Sequence, residues 1–202
     1  LALKELELAH CAIDASAAQE LAPGLRRLTN LRKLTLTGNK LAVDGARALA
    51  QEALPHVRGL TELNLAYGGL DVEAIKLLAP ALKDLQALEV LQIRNNKFEE
   101  KGAEVLAAEV LPHLRRLEQL DVRLTGVREA TMEAFAPGLA CSSRLRVLEL
   151  GDKRLLIAFI SALPRCNSVN LGSLRELALD KCDLNGDFMA ELAPGIRLLT
   201  SL

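Results

Sequence analysis

Apolar residues return along this chain at steps of three, two, three and two. The run Leu31, Leu34, Leu36, Asn39 and Leu41 shows the spacing, and Leu3, Leu6, Leu8, Cys11 and Ile13 repeat it. It returns at Leu60, Leu63, Leu65, Gly68 and Leu70, then at Leu88, Leu91, Ile93, Asn96 and Phe98. Leu117, Leu120, Val122, Thr125 and Val127 follow, then Leu145, Leu148, Leu150, Lys153 and Leu155, then Leu174, Leu177, Leu179, Cys182 and Leu184. The alternation of two inside each run predicts a short strand with its leucines inward and the residues between them outward. The Asn or Cys position turns the chain inward, where its side chain can satisfy backbone groups that the turn leaves unpaired. Behind each strand, residues such as Ala46, Leu49, Ala50 and Ala53 recur at helical spacing and present a small face.

The first residues of these runs fall at 3, 31, 60, 88, 117, 145, 174 and 202, so the steps alternate between 28 and 29 and the true period is 57. Proline follows the same rule. Pro23, Pro80, Pro137 and Pro194 are 57 apart, as are Pro55 and Pro112, and only Pro164 is out of step. The second set comes about a turn later in its unit, which predicts shorter and longer helices in alternation, with proline as the stop. One strand and one helix cannot bury both of their apolar faces alone, so neighbouring units stack. The expected fold is an α/β solenoid of about seven repeats over residues 1–202, a single domain with a parallel concave sheet and outer helices. The chain opens two residues before a repeat and closes on the first leucine of the next, the pattern of a segment from a longer array.

The text L-x-x-L-x-L-x-x-N/C-x-L, in alternating units with helical second halves such as GARALAQEAL and GAEVLAAEVL, resembles the ribonuclease-inhibitor-like class of leucine-rich-repeat proteins over essentially the whole chain. The resemblance implies a right-handed β/α horseshoe arc and a set of contexts. Similar arrays inhibit ribonucleases, form the sensor end of nucleotide-binding innate immune receptors, activate small GTPases, or scaffold cytoskeletal and organellar complexes. The sequence departs from the pattern at Gly68 and Lys153, and across 155–173, a unit without the small residue that Gly45 and Gly102 supply. A local distortion is expected there.

Composition acts mainly by exclusion. With 50% hydrophobic and 25% charged residues and a net charge of −1, the chain has material for a folded core. Aromatics at 2% leave no platform for stacking bases. Runs such as Leu155 to Ile160 are too short to span a bilayer, and no leader pattern opens the chain, so no membrane partner is expected. Cys11, Cys141, Cys166 and Cys182 show no paired or zinc-like spacing and read as reduced, buried thiols of an intracellular, cytoplasmic protein. His56 and His113 occupy equivalent loop positions, His10 lies beside Cys11 at a turn, and the TGNK text at 37–40 lacks the glycine spacing of a phosphate loop. No catalytic group, metal or cofactor is expected.

Function then falls to the outward positions of the sheet. On them acids outnumber bases, which favours a partner with a basic surface. Val90 and Val147 break the polar run, and Tyr67 and Leu124 lie at the loop edge of the sheet. With Arg94, Asp121, Arg123 and Glu149 they form the candidate contact patch for another protein. A second feature is a rim of arginines before the strands: Arg26, Arg27, Arg32, Arg58, Arg115, Arg116, Arg144, Arg146 and Arg175. That rim suits RNA or a ribonucleoprotein assembly. Three readings stay open: a non-catalytic protein-binding domain, a GTPase-activating or receptor-type regulatory array, and a structural subunit of an RNA-containing or cytoskeletal assembly.

Overall fold

A computed structural model gives the fold and describes residues 2–140, 142–163 and 174–178. Seven strands of three residues each form one parallel sheet in chain order: β1 (Glu5–Glu7), β2 (Lys33–Thr35), β3 (Glu62–Asn64), β4 (Val90–Gln92), β5 (Gln119–Asp121), β6 (Val147–Glu149) and β7 (Glu176–Ala178). The register never slips, so Leu6, Leu34, Leu63, Leu91, Leu120 and Leu148 stand side by side. From Leu34 to Leu148 these leucines are at most 1% exposed, covered by helices on the other side of the core. The chain is an α/β solenoid, as its pattern predicts. Cys141, Asp180, Cys182, Pro194 and all of 164–173, with Pro164 and Cys166, lie outside the described residues.

The alternation of unit lengths has a structural cause. In the 28-residue units the helices α1 (Ala15–Leu25) and α3 (Val72–Leu82) have 11 residues and α5 (Glu129–Ala140) has 12. In the 29-residue units, α2 (Ala42–Ala48) and α4 (Glu99–Val105) run on into a π-helical turn, Leu49–Ala53 or Leu106–Val110, and then a 3₁₀ turn, Leu54–His56 or Leu111–His113. A π-turn takes up one residue more than an α-turn. It keeps Leu49, Ala53, Leu54 and Val57 all facing the core. Asp14 and Asp71, 57 residues apart, cap α1 and α3 by accepting from the Ala17 and Ala74 amides at 2.9 Å.

Two expectations need correction, and the unit that departs from the pattern has a geometry of its own. Pro23, Pro80 and Pro137 lie inside α1, α3 and α5 and do not stop them. Their rings sit on the exposed side of each helix, where a proline displaces no core packing. Cys11 is exposed, because it belongs to the first unit and no described unit packs over it. Finally, α6 (Lys153–Ala162) starts at the turn position itself, three residues earlier in its unit than α2 or α4, with Asp152 accepting from the Arg154 amide at 2.7 Å.

Asparagine at the turn position ties units together in pairs. Asn39 Oδ1 accepts from the amides of Cys11 and Ile13 at 3.1 and 2.9 Å, and its Nδ2 donates to Leu8 and Leu36 carbonyls at 2.7 and 2.8 Å. Asn96 does the same for Gly68, Leu70, Leu65 and Ile93 at 2.8–3.0 Å. Each Asn serves the loop before it; at Gly68 the backbone carbonyl reaches back instead, accepting from the Ala42 amide at 3.2 Å. A Cβ at Gly68 would meet the Leu65 carbonyl at 2.9 Å.

Candidate partner-binding face

The open face of the sheet carries two outward rows. One runs Glu5, Lys33, Glu62, Val90, Gln119, Val147 and Glu176, and the other Glu7, Thr35, Asn64, Gln92, Asp121 and Glu149. At the β1–β3 end, Lys33 reaches Glu7 at 2.9 Å and Glu62 at 3.9 Å. The hydrogen bond that Lys33 donates to Glu7, and then the charges of Glu7 and Glu62, raise the Lys33 pKa. Farther along, Asn64 Nδ2 donates to Gln92 Oε1 at 2.7 Å. Val90 and Val147 flank Gln119 in the same row, both half-buried.

Around β5 five of the sequence-chosen residues form one connected network. Arg123 grips Asp121 with two bonds, Nε at 2.9 Å and Nη2 at 2.8 Å, while its Nη2 also reaches Glu149 at 2.6 Å. Gln119 Nε2 donates to the other Glu149 oxygen at 3.1 Å. Arg94 Nε lies 3.8 Å from Asp121, and its guanidinium stacks 5.2 Å above the Tyr67 ring. The Asp121 side chain is only 2% exposed beneath these two arginines, so it anchors them and presents no carboxylate to a visitor. That burial was hidden from the outward parity of the sequence, although Arg123 two residues on was a usable signal. The Glu149 carboxyl has its pKa raised, first by burial and then by the Asp121 charge, which outweigh the opposing pull of Arg123.

Beyond the strands the ladder continues into the loops, with the Tyr67 amide donating to Arg94 at 3.0 Å and the Asn95 amide to Arg123 at 2.8 Å. In the first five units the residue before the turn position adopts a left-handed backbone: φ is +53° at His10, +72° at Gly38, +54° at Tyr67, +54° at Asn95 and +55° at Leu124. Gly and Asn carry this conformation readily; a Tyr or Leu there costs about 1–2 kcal/mol. Yet Tyr67 is 41% and Leu124 70% exposed, so burial in the core does not account for either choice. The sequence placed both at the loop edge but did not reveal the strain, which follows from their sharing a register with Gly38. Leu124 stands two units along from Tyr67 on the same edge.

The first-unit pair does not assemble chemistry. Cys11 Sγ donates to the Ala9 carbonyl at 3.4 Å, and the His10 ring packs over Gly38. Among the described residues no group of three or more His, Cys, Asp or Glu is placed to hold a metal, and no helix is long and apolar enough to cross a membrane.

A parallel sheet left open on one face, helices behind it and an Asn clamp at the turn together define the class: the chain is a leucine-rich-repeat protein of the ribonuclease-inhibitor-like class. The model of the family described as Leucine Rich repeat matches residues 3–22 and 27–50. Ribonuclease inhibitor of Sus scrofa is 30% identical over 190 residues, which span 94% of this chain and 42% of that protein. NACHT, LRR and PYD domains-containing protein 5 of Homo sapiens is 32% identical over 212 residues, 100% of this chain and 17% of that protein. Among solved structures, an internalin of Listeria monocytogenes aligns with a TM-score of 0.42 and 16% identity over 89% of this chain and 55% of that one. The chain thus spans less than half the length of the curated relatives it matches.

Proposed function

We propose that the chain is a non-catalytic interaction domain that holds another protein against the open sheet face and its adjoining loop edge. The observation that carries this reading is the pairing of exposure with strain at Tyr67 and Leu124. Strained backbone persists at functional sites because something other than stability selects it. Aromatic and apolar anchors in a polar surround are the residues that dominate protein interfaces. The network of Arg94, Asp121, Arg123 and Glu149 adds a rigid polar floor, and Val90 and Val147 add apolar area beside it. The relative named a ribonuclease inhibitor supports a protein as the class of ligand. An intracellular, reducing setting belongs to the same proposal, supported by four cysteines without paired spacing.

The test is capture of proteins from a cell lysate on the immobilised chain, compared with a Tyr67→Gly/Leu124→Gly double variant. Glycine keeps the left-handed backbone, so the fold survives while both anchors go. At least one protein retained by the parent chain should fall at least tenfold with the variant. If every recovered protein binds both forms equally, the anchors have no role in binding.

A further inference from the structure

The edge of the sheet at which the strands begin carries a charge that the rest of the chain does not share. The segments leading into β2 to β7, within the described residues, are 26–32, 56–61, 83–89, 113–118, 142–146 and 174–175. They hold ten basic and three acidic residues, a net charge of +7 in a chain whose total is −1. Since the strands are parallel and in register, all these segments lie on one edge. Backbone hydrogen bonds of 2.6–2.9 Å tie that edge into a row, from Lys4 through Arg32, Thr61, Glu89, Glu118 and Arg146 to Arg175. At about 4.8 Å between strands, the row is on the order of 30 Å long.

Most of this charge is unspent. Arg32 donates to the Gly59 carbonyl at 2.7 Å, Arg58 pairs with Asp84 at 3.3 Å, and Arg146 pairs with Glu118 at 3.6 Å. Arg26, Arg27, Lys83, Arg115, Arg116, Arg144 and Arg175 are exposed and have no acidic partner among the described residues. Helix C-termini nearby favour a cation, but that field fades within a turn and one cation meets it. Here Arg26–Arg27 and Arg115–Arg116 come in twos. An open recess of about 460 Å³, lined by Arg58, Asp84, Gln86, Ala87 and Arg116, interrupts the row.

We propose that this edge binds the phosphate backbone of a nucleic acid, separately from the protein-binding face. Two observations favour phosphate over a protein surface. The large exposed apolar residues of the described chain are Leu3, Tyr67 and Leu124, none of them in these segments, so the edge lacks the anchors on which protein interfaces depend. Backbone phosphates need none, and nine of the ten cations are arginines, whose planar fork matches phosphate oxygens with two bonds. Without aromatic residues to stack on bases, the contact reads charge and shape and shows little sequence preference.

Fluorescence anisotropy of labelled 20-base-pair RNA and DNA duplexes with the whole chain tests this. With about four phosphates contacted, affinity should fall roughly a hundredfold between 50 and 200 mM NaCl. A variant carrying Arg115→Glu, Arg116→Glu and Arg144→Glu should bind at least tenfold more weakly, with a shallower salt slope. The opposite-edge control Lys40→Glu, Lys97→Glu and Lys101→Glu should stay within about twofold. Glutamine at the three arginine positions gives the same ordering if charge reversal disturbs the fold. Preference for one duplex assigns the phosphate source. No binding at 50 mM NaCl, equal loss in both triple variants, or tighter binding of a polyglutamate peptide would overturn the proposal, the last by assigning the edge to an acidic protein.

Discussion

Replacing Asn96 by alanine removes the clamp at the centre of the solenoid. The side chain is 1% exposed and satisfies four backbone groups: the amides of Gly68 and Leu70 and the carbonyls of Leu65 and Ile93. Each such bond contributes about 1 kcal/mol net, and a buried group left unpaired costs about 1–3 kcal/mol. The vacated space admits some water, so the full sum is not reached; a loss of about 3–5 kcal/mol is expected. Asn96→Asp separates the two halves of the clamp. It keeps the acceptor for both amides but turns a carboxylate toward the two carbonyls, and should be at least as damaging. Repeat arrays open locally, so the sharpest assay is amide exchange at Gly68 and Leu70, backed by the urea midpoint. Exchange at both amides should quicken at least a hundredfold in Asn96→Ala. A stability loss under about 1 kcal/mol, or unchanged exchange at those amides, would refute the clamp.

Three other substitutions probe separate parts of the structure. Leu124→Gly should stabilise the chain by about 0.5–1 kcal/mol, because relief of the left-handed strain exceeds the added freedom of the unfolded glycine. Thermal unfolding checks it, and a destabilised variant would mean that the Leu124 side chain packs after all. The buried hydroxyl of Thr131 has no hydrogen-bond partner among the described residues, so the isosteric Thr131→Val should gain about 1 kcal/mol in a urea titration. Glu149 has its pKa raised on folding, so its ionisation opposes the fold: the penalty is absent below its unfolded pKa and grows as pH rises through the folded value. Glu149→Gln should therefore raise the melting temperature at pH 7 and leave it nearly unchanged at pH 4; a lower value at pH 7 would show that the Arg123 pair dominates.

The 57-residue period was legible because it is written in side chains that must recur, the inward leucines and the asparagines that span two units. The alternation of helix length was legible from Pro55 and Pro112 for the same reason. The π-helical turns were not, since residues 49–53 and 106–110 are ordinary helix formers and only the placement of Leu54 and Leu111 in the core demands the extra residue. Parity placed Val90, Arg94, Arg123 and Glu149 on the open face. It placed Asp121 there too, but gave no sign of its burial, which depends on arginines from its own loop and from the neighbouring unit. Left-handed backbone at Ala42 and Glu99 carried no glycine to announce it, whereas in two of the shorter units Gly69 and Gly126 mark a bend two positions earlier.

Hydrogen exchange of the chain, free and bound to a protein that it captures, puts the binding face to the most direct test. Amides of 66–68, 94–96 and 123–125, on the loop edge that carries Tyr67, Arg94 and Leu124, should exchange more slowly in the complex. Protection confined to the outer helices α1 to α5, with the loop edge unchanged, would contradict it.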